Sequence, residues 1–184
     1  KNCRIAVFGL GGVGGNAAEA LVRSGIEEMD IIDFDRVNYT NLNRQVISSL
    51  STIGQYKTDA AEARFKSINP DIVIHKHTCM FLPENSQDIP FDSFDYIIDA
   101  IDNVTAKVEL IRMANAHHVP IICSMGCGNR MDPSKLMITD IYKTSGDPLA
   151  RIMRQQCRKN HIKKLTVITS TEQPVKPSKE MIAA

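Results

Sequence analysis

The five cysteines include no CxxC pair, and their number is odd. This argues against a disulfide framework and against a zinc site built from cysteine pairs. It leaves a reducing cytoplasm as the expected compartment. No run of 18 or more apolar residues occurs, so no membrane-spanning helix is expected. The chain also lacks an internal repeat and any low-complexity tract. Hydrophobic residues make up 43% and charged residues 23% of the 184, values that exclude disorder and collagen and fit one globular domain with a sizeable core. The first expected strand opens almost at residue 1, and the chain stops at Ala184 after a polar stretch. We therefore expect no leader peptide before that strand and further segments beyond both ends.

A net charge of only +1 conceals an asymmetry. Residues 1–129 carry 11 Lys+Arg against 16 Asp+Glu, whereas residues 130–184 carry 11 against 5. Such a basic end is either a surface for an anionic partner or a solvated face.

Short apolar β-rich runs alternate with helical spacing. Strands are expected at residues 4–9, 29–35, 72–78, 95–100 and 119–124, and helices at 16–23, 54–68 and 104–117. In the first helix Ala17, Ala18, Leu21 and Val22 share one side. Alternation of this kind argues for an α/β, doubly wound, mainly parallel sheet. The division expected is a core over 1–129 and a C-terminal α+β extension over 130–184. That extension reads as a strand at 135–142, a helix opened by Asp147-Pro148, a strand at 165–169, and a mobile loop from Glu172 onward. Leu149, Ile152 and Met153 form the expected apolar stripe of the helix, with Arg151, Arg154 and Arg158 opposite.

Between the first strand and helix lies Gly9-Leu10-Gly11-Gly12-Val13-Gly14. The first glycine permits the tight turn, the second a close approach to phosphate, and the third strand–helix packing. The helix N-terminus then faces an anion. This is the Rossmann-like nucleotide fingerprint, with Gly9, Gly11, Gly12 and Gly14 as binding candidates. Asp33 lies at the spacing expected of a ribose-binding carboxylate, and Asp35 is the neighbouring candidate. The motif alone does not separate NAD, FAD and ATP. Asn41, Arg44 and Lys57 follow, more cation and amide than a pyrophosphate needs, which favours a triphosphate attacked at its α-phosphorus. The bland alternative is a solvated polar loop. Asp99 ends the fourth strand and Asp102 lies just beyond it, where a carboxylate can hold phosphate-bridging Mg²⁺ or cap a helix. Asp102 is the metal candidate and Asp99 the structural one.

The glycine loop, the run from Asp33 through Asn41-Leu42-Asn43-Arg44-Gln45, Lys57, and Asp99-Ala100-Ile101-Asp102-Asn103 together resemble the E1-like adenylating enzymes of the ThiF, MoeB and HesA type. The resemblance spans about residues 4–124. It implies MgATP as cosubstrate, acyl-adenylate chemistry, phosphate contacts from Gly11, Asn41, Arg44 and Lys57, a ribose contact from Asp33, and Mg²⁺ at Asp102. Arg44, Lys57 and Asp102 would be the catalytic set. It further implies a homodimer, often with a partner arginine entering the site, and a possible sulfur-relay protein. The tail, with Ser124-Met125-Gly126, Gly128-Asn129, Asp132-Pro133, Asp140 to Ser145 and Asp147 to Arg151, is similar to the tRNA threonylcarbamoyladenosine dehydratase branch, which lacks the MoeB-type zinc cysteines. That branch implies tRNA as substrate, and Arg151, Arg154 and Arg158, with Arg130, Lys159, Lys163 and Lys164, as phosphate contacts. The alternative within the resemblance is activation of the C-terminus of a ubiquitin-like or sulfur-carrier protein.

Three further signals carry less weight. His75, His77 and Cys79 alternate along one strand face and could in principle meet a metal, but packing is the simpler reading. His117-His118 closes a helix, where the C-terminal dipole favours a cation. Cys127, between two glycines, reads as a small loop residue rather than a nucleophile.

Overall fold

Residues 3–175 are described by a computed structural model. The chain divides into two units, Lys1–Ile121 and Ile122–Ala184.

The first unit holds β1 (Arg4–Phe8), α1 (Gly14–Arg23), β2 (Glu28–Ile32), α2 (Lys57–Ile68), β3 (Val73–His77), β4 (Tyr96–Asp99) and α3 (Val104–Ala116). Its strands run β3-β2-β1-β4, every pair parallel. The period-2 alternation of β1 sends alternate residues to opposite faces. Ile5 and Val7 pack with Ala18 and Val22 of α1 and Ala61 and Phe65 of α2. Ala6 and Phe8 pack with Ala106, Leu110 and Met113 of α3 and with Phe81, Phe91 and Phe94. Both faces are thus covered, which is why the strands read as continuous apolar runs rather than half-polar ones.

Two boundaries differ from expectation. Helix α2 begins at Lys57, not at Gly54, because Gly54 sits at φ +85° and its N–H donates to Val37 O at 2.9 Å. Strand β2 stops at Ile32, since the Asp33 carboxylate turns back to accept from Leu10 N and Asp35 N.

The second unit contains β5 (Ile121–Ser124) but for its first residue, β6 (Leu136–Asp140), α4 (Pro148–Lys159) and β7 (Thr166–Ser170). β7 lies between β5, which it pairs in parallel, and β6, which it pairs antiparallel. β5, expected to belong with the core, falls here, so the division comes at 121/122 rather than after residue 129. β6 ends at Asp140, whose side chain accepts from Tyr142 N at 2.9 Å and opens a 3₁₀ turn.

Asp147 organises this unit. It caps α4 through Ala150 N at 3.0 Å, accepts from Gly126 N at 2.9 Å, and accepts from the Thr169 hydroxyl at 3.0 Å. A Cβ on Gly126 would come within 3.1 Å of its Oδ1, so a side chain there would press on the hub. The buried face of α4 is Ala150, Met153 and Cys157. Ile152, expected in that stripe, is 42% exposed, because the helix turns about its Met153 side. Glu172 also departs from the mobile loop expected of it, since its carboxylate accepts from Met131 N and Asp132 N. The rest of that loop, from residue 176, lies outside the described residues. Among the described residues no helix is long and apolar enough to cross a membrane, and no disulfide forms.

Candidate nucleotide-binding site

In the first unit a cavity of about 420 Å³ opens where β1, β2, β3 and β4 end. Parallel strands release their loops on one side, so residues far apart in sequence meet there. Gly9, Gly11, Gly12, Asp33, Asp35, Asn41, Arg44, Lys57 and Asp102 all line it, and Gly14 does not.

The glycines divide by cause. Gly9 sits at φ +88°, and a Cβ there would lie 2.7 Å from Ala100 O. A Cβ on Gly14 would lie 1.8 Å from Gly9 O, so this position is demanded by strand–helix packing alone. At Gly11 nothing comes closer than Gln45 Nε2, at 4.0 Å. The fold therefore leaves open the space above Gly11, and any ligand backing onto that loop would use it. Val13 gives α1 no side-chain cap, and the first turn holds no acidic residue. The positive end of the helix is thus not neutralised by the chain itself.

Asp33 is buried, and both its oxygens are engaged, Oδ2 with Leu10 N at 2.7 Å and Oδ1 with Asp35 N at 2.8 Å. Burial pushes its carboxyl above the ordinary value, and these two hydrogen bonds pull the other way. Asp33 thus clamps the glycine loop to the end of β2, while the Asp35 side chain stands 47% exposed. Lys57 is buried at the start of α2, with Nζ 2.7 Å from Asp35 Oδ2 and 3.8 Å from Asp33 Oδ2. It is placed by a loop closed on itself: Arg36 bridges Tyr56, Val37 N donates to Gln55 O, and Lys57 N donates to Asp35 O. Lys57 is therefore held between the carboxylates of Asp33 and Asp35.

Arg44 and Asp102 differ from it. The Arg44 guanidinium donates only to Thr40 O and Asn43 Oδ1, both at 2.9 Å, and no carboxylate meets it among the described residues. Asn41 holds its own turn by accepting from Asn38 N at 3.0 Å. The cap of α3 is Asn103, which accepts from Ala106 N at 3.0 Å and leaves the exposed Asp102 carboxylate uncommitted. Asp99 is structural: it is buried with Lys107 Nζ 3.0 Å away, and Lys107 also donates to Ile101 O at 2.8 Å. This pair fixes the loop that carries Asp102.

Lys107, Gln45, Phe34 and Phe81 were not singled out from sequence. Lys107 was legible, because it falls on the apolar face of α3, three and four residues before Leu110 and Ile111. Gln45, which closes the Asn41–Gln45 run, is buried at the cavity wall. His75 and His77 pair with Glu28 at 2.9 Å and Asp30 at 2.7 Å. Cys79 lines the cavity, where burial raises its thiol. Among the described residues no three metal-binding side chains converge. His117 meets Asp92 at 2.6 Å and stacks on Phe91.

In the second unit two of the expected phosphate contacts are occupied. Arg130 is buried and donates to Ser170 O, with Asp147 3.7 Å away. Arg154 donates to Thr144 O at 2.9 Å and to its hydroxyl. Arg151, Arg158, Lys159, Lys163 and Lys164 are exposed, Arg158 lying over the Tyr142 ring.

A profile of the ThiF family matches residues 1–173. The chain belongs to the ThiF family. It is 44% identical over 177 residues to the tRNA threonylcarbamoyladenosine dehydratase of Bacillus subtilis, a match covering 95% of this chain and 69% of that protein. It is 40% identical over 161 residues to the dehydratase of the same name from Haemophilus influenzae, covering 88% of this chain and 62% of that protein. Its fold matches the crystal structure of Escherichia coli tRNA N6-threonylcarbamoyladenosine dehydratase in complex with ATP, with a TM-score of 0.90 and 34% identity, over 95% of this chain and 75% of that one. The chain thus spans roughly two thirds of these ThiF-family relatives.

Proposed function

We propose that this ThiF-family chain uses ATP to activate the carboxylate of N6-threonylcarbamoyladenosine in tRNA and closes it to the cyclic form. The observation that carries this reading is the pair of uncompensated opposite charges in one cavity. Arg44 has no carboxylate partner and Asp102 no cation among the described residues, while the glycine loop and the uncapped α1 N-terminus lie beside them. Both side chains are exposed at the cavity, so the fold bears little cost in leaving them unpaired, and a polyphosphate bound with a divalent cation would pair with both. The dehydratase name and the ATP complex belong to the relatives, and they support the same reading.

In the first step a carboxylate oxygen of the substrate attacks the α-phosphorus, and the bond to the β-phosphate bridging oxygen breaks. Pyrophosphate leaves, and an acyl adenylate forms. The carbamoyl group already on the substrate then attacks the activated carbonyl and expels AMP, with loss of one proton, so that water is removed overall. No protein nucleophile is needed, and intramolecular closure benefits from proximity. Gly11 and the start of α1 would receive phosphate, Asp35 and Asp33 the ribose, and Arg44 the charge that develops on the leaving pyrophosphate. Lys57 would hold the two carboxylates in register and meet phosphate only by exchanging its contact with Asp35.

Mg²⁺ fits the donor set in one way. A lone free carboxylate cannot make a protein cage, but Mg²⁺ is commonly held by one or two carboxylates plus substrate phosphates. Asp102 would be that ligand, and the ion would neutralise phosphate charge. Arg151, Arg158 and the adjacent lysines would contact tRNA phosphates. On this reading the chain works as a homodimer, which sedimentation measures.

The test is pyrophosphate release from ATP and Mg²⁺, with either threonylcarbamoyl-modified tRNA or a sulfur-carrier protein supplied. Release that depends on the modified tRNA is expected. Release with the carrier protein alone would make the chain a carrier-protein adenylyltransferase instead, and release with neither would remove the reading.

A further inference from the structure

We propose that the outer rim of the cavity, formed by residues 34–56, is a platform on which single-stranded RNA bases flanking the reacting nucleotide stack. This rests on the proposed tRNA substrate and assigns a role to the outward side chains of a segment whose Asp35, Asn41 and Arg44 line the cavity. Residues 34–56 hold Arg36 and Arg44 against one acidic residue, Asp35, which is paired with Lys57, although residues 1–129 as a whole are acidic. The segment folds back on itself through the Arg36–Tyr56 bridge, so its outward side chains are held in place rather than left on a free loop.

Those side chains are aromatic and cationic by turns. Phe34 is 49% exposed and also lines the cavity, so it spans pocket and rim. Tyr39 is 70% exposed, in the same 3₁₀ turn as Asn41, which lines the cavity. The Arg36 guanidinium lies 3.7 Å from the centre of the Tyr56 ring and donates to Gly54 O, with no acidic partner among the described residues. Leu50 and Ile53 add exposed apolar surface. Unstacked loop bases are recognised by aromatic faces and guanidinium planes backed by positive charge. A protein partner would be better served by a continuous apolar patch, but here Asn38, Thr40, Asn43, Ser49 and Ser51 interrupt it. A nucleotide reacting within an RNA strand also obliges its neighbours to leave the cavity across its edge, which this segment forms.

The experiment measures binding of a fluorescent tRNA anticodon stem-loop to the full chain over a range of salt concentrations, with ATP affinity and sedimentation followed in parallel. Tyr39→Ala removes an exposed ring that makes no packing contact in the core. It is expected to weaken RNA binding about 5- to 100-fold at every salt concentration, with the salt slope and ATP affinity unchanged. Tyr39→Phe is expected to restore binding, because stacking needs the ring and not the hydroxyl. Arg36→Ala should weaken binding and lower the salt slope by no more than about one. Wild-type RNA affinity and an unchanged KM for RNA in Tyr39→Ala, alongside RNA-dependent pyrophosphate release, would overturn the platform and leave the proposed reaction standing. A shift of Tyr39→Ala from dimer to monomer with RNA affinity intact would assign the rim to a second copy of the chain and overturn the platform too. If the wild-type chain neither binds the stem-loop nor releases pyrophosphate with modified tRNA, both proposals fall together.

Discussion

At one corner of the parallel sheet, Arg4, Glu28, Asp30, His75 and His77 neutralise one another. Arg4 reaches Asp30 at 2.6 Å and Glu28 at 3.3 Å, and each histidine meets one of these carboxylates. Where the same strands end, Arg44 and Asp102 face a cavity with no opposite charge to hold them. The sequence places acidic and basic residues in both. Compensation separates charges that stabilise the fold from charges kept open for a ligand. The same distinction divides the basic side chains of the second unit, where Arg130 and Arg154 are consumed by backbone oxygens and Arg151 is not.

Four measurements would break or sharpen that contrast. The largest effect is expected on the compensated side, at Lys107→Ala. It leaves Asp99 buried without its cation and should cost about 3–5 kcal/mol in denaturant unfolding. A loss below about 1 kcal/mol would show that the pair does not hold the Asp102 loop. On the open side, Arg44→Ala and Asp102→Asn should each slow pyrophosphate release about 100- to 1000-fold, while unfolding shifts by less than about 0.5 kcal/mol. A comparable fall in stability would place them among the structural charges.

Asp30→Asn should cost about 1–3 kcal/mol at neutral pH, with a defined pH dependence. Burial opposes ionisation of Asp30, but hydrogen bonds from His77 and Arg4 prevail and hold its carboxyl below the ordinary aspartate value. Its stabilisation is then present above the unfolded value and lost as pH falls through the lower folded one. The gap between wild type and Asp30→Asn should therefore narrow in acid unfolding below about pH 4, and a gap independent of pH would contradict the assignment. The smallest effect separates neighbours on α4. Arg151→Ala should lower the salt slope of tRNA binding by about one. Arg154→Ala should change it less, because its guanidinium already serves Thr144.

Most elements were legible because burial on both sheet faces writes unbroken apolar runs, and because Gly14 is required by a contact close along the chain, with Gly9 O. The errors gather where long-range contacts override local signals. Gly54 looks like a helix start until its backbone is seen bound to Val37. Ile152 looks like core until α4 is seen to bury Ala150, Met153 and Cys157 instead. Within the site, the sequence names residues that line one cavity, but not their contacts. Lys57 comes to rest on Asp35, and Asp33 spends both oxygens on backbone N–H groups.

From its order of residues alone, this chain determined a parallel α/β core, a glycine turn shaped for a nucleotide, and which side chains could meet at the strand ends. Only the folded form decided which of them remain free. A charge is available to a ligand when no opposite charge or backbone dipole lies within reach, and that depends on distances set by segments 20 to 100 residues apart, such as Asp33 to Lys57 or Arg4 to Asp95.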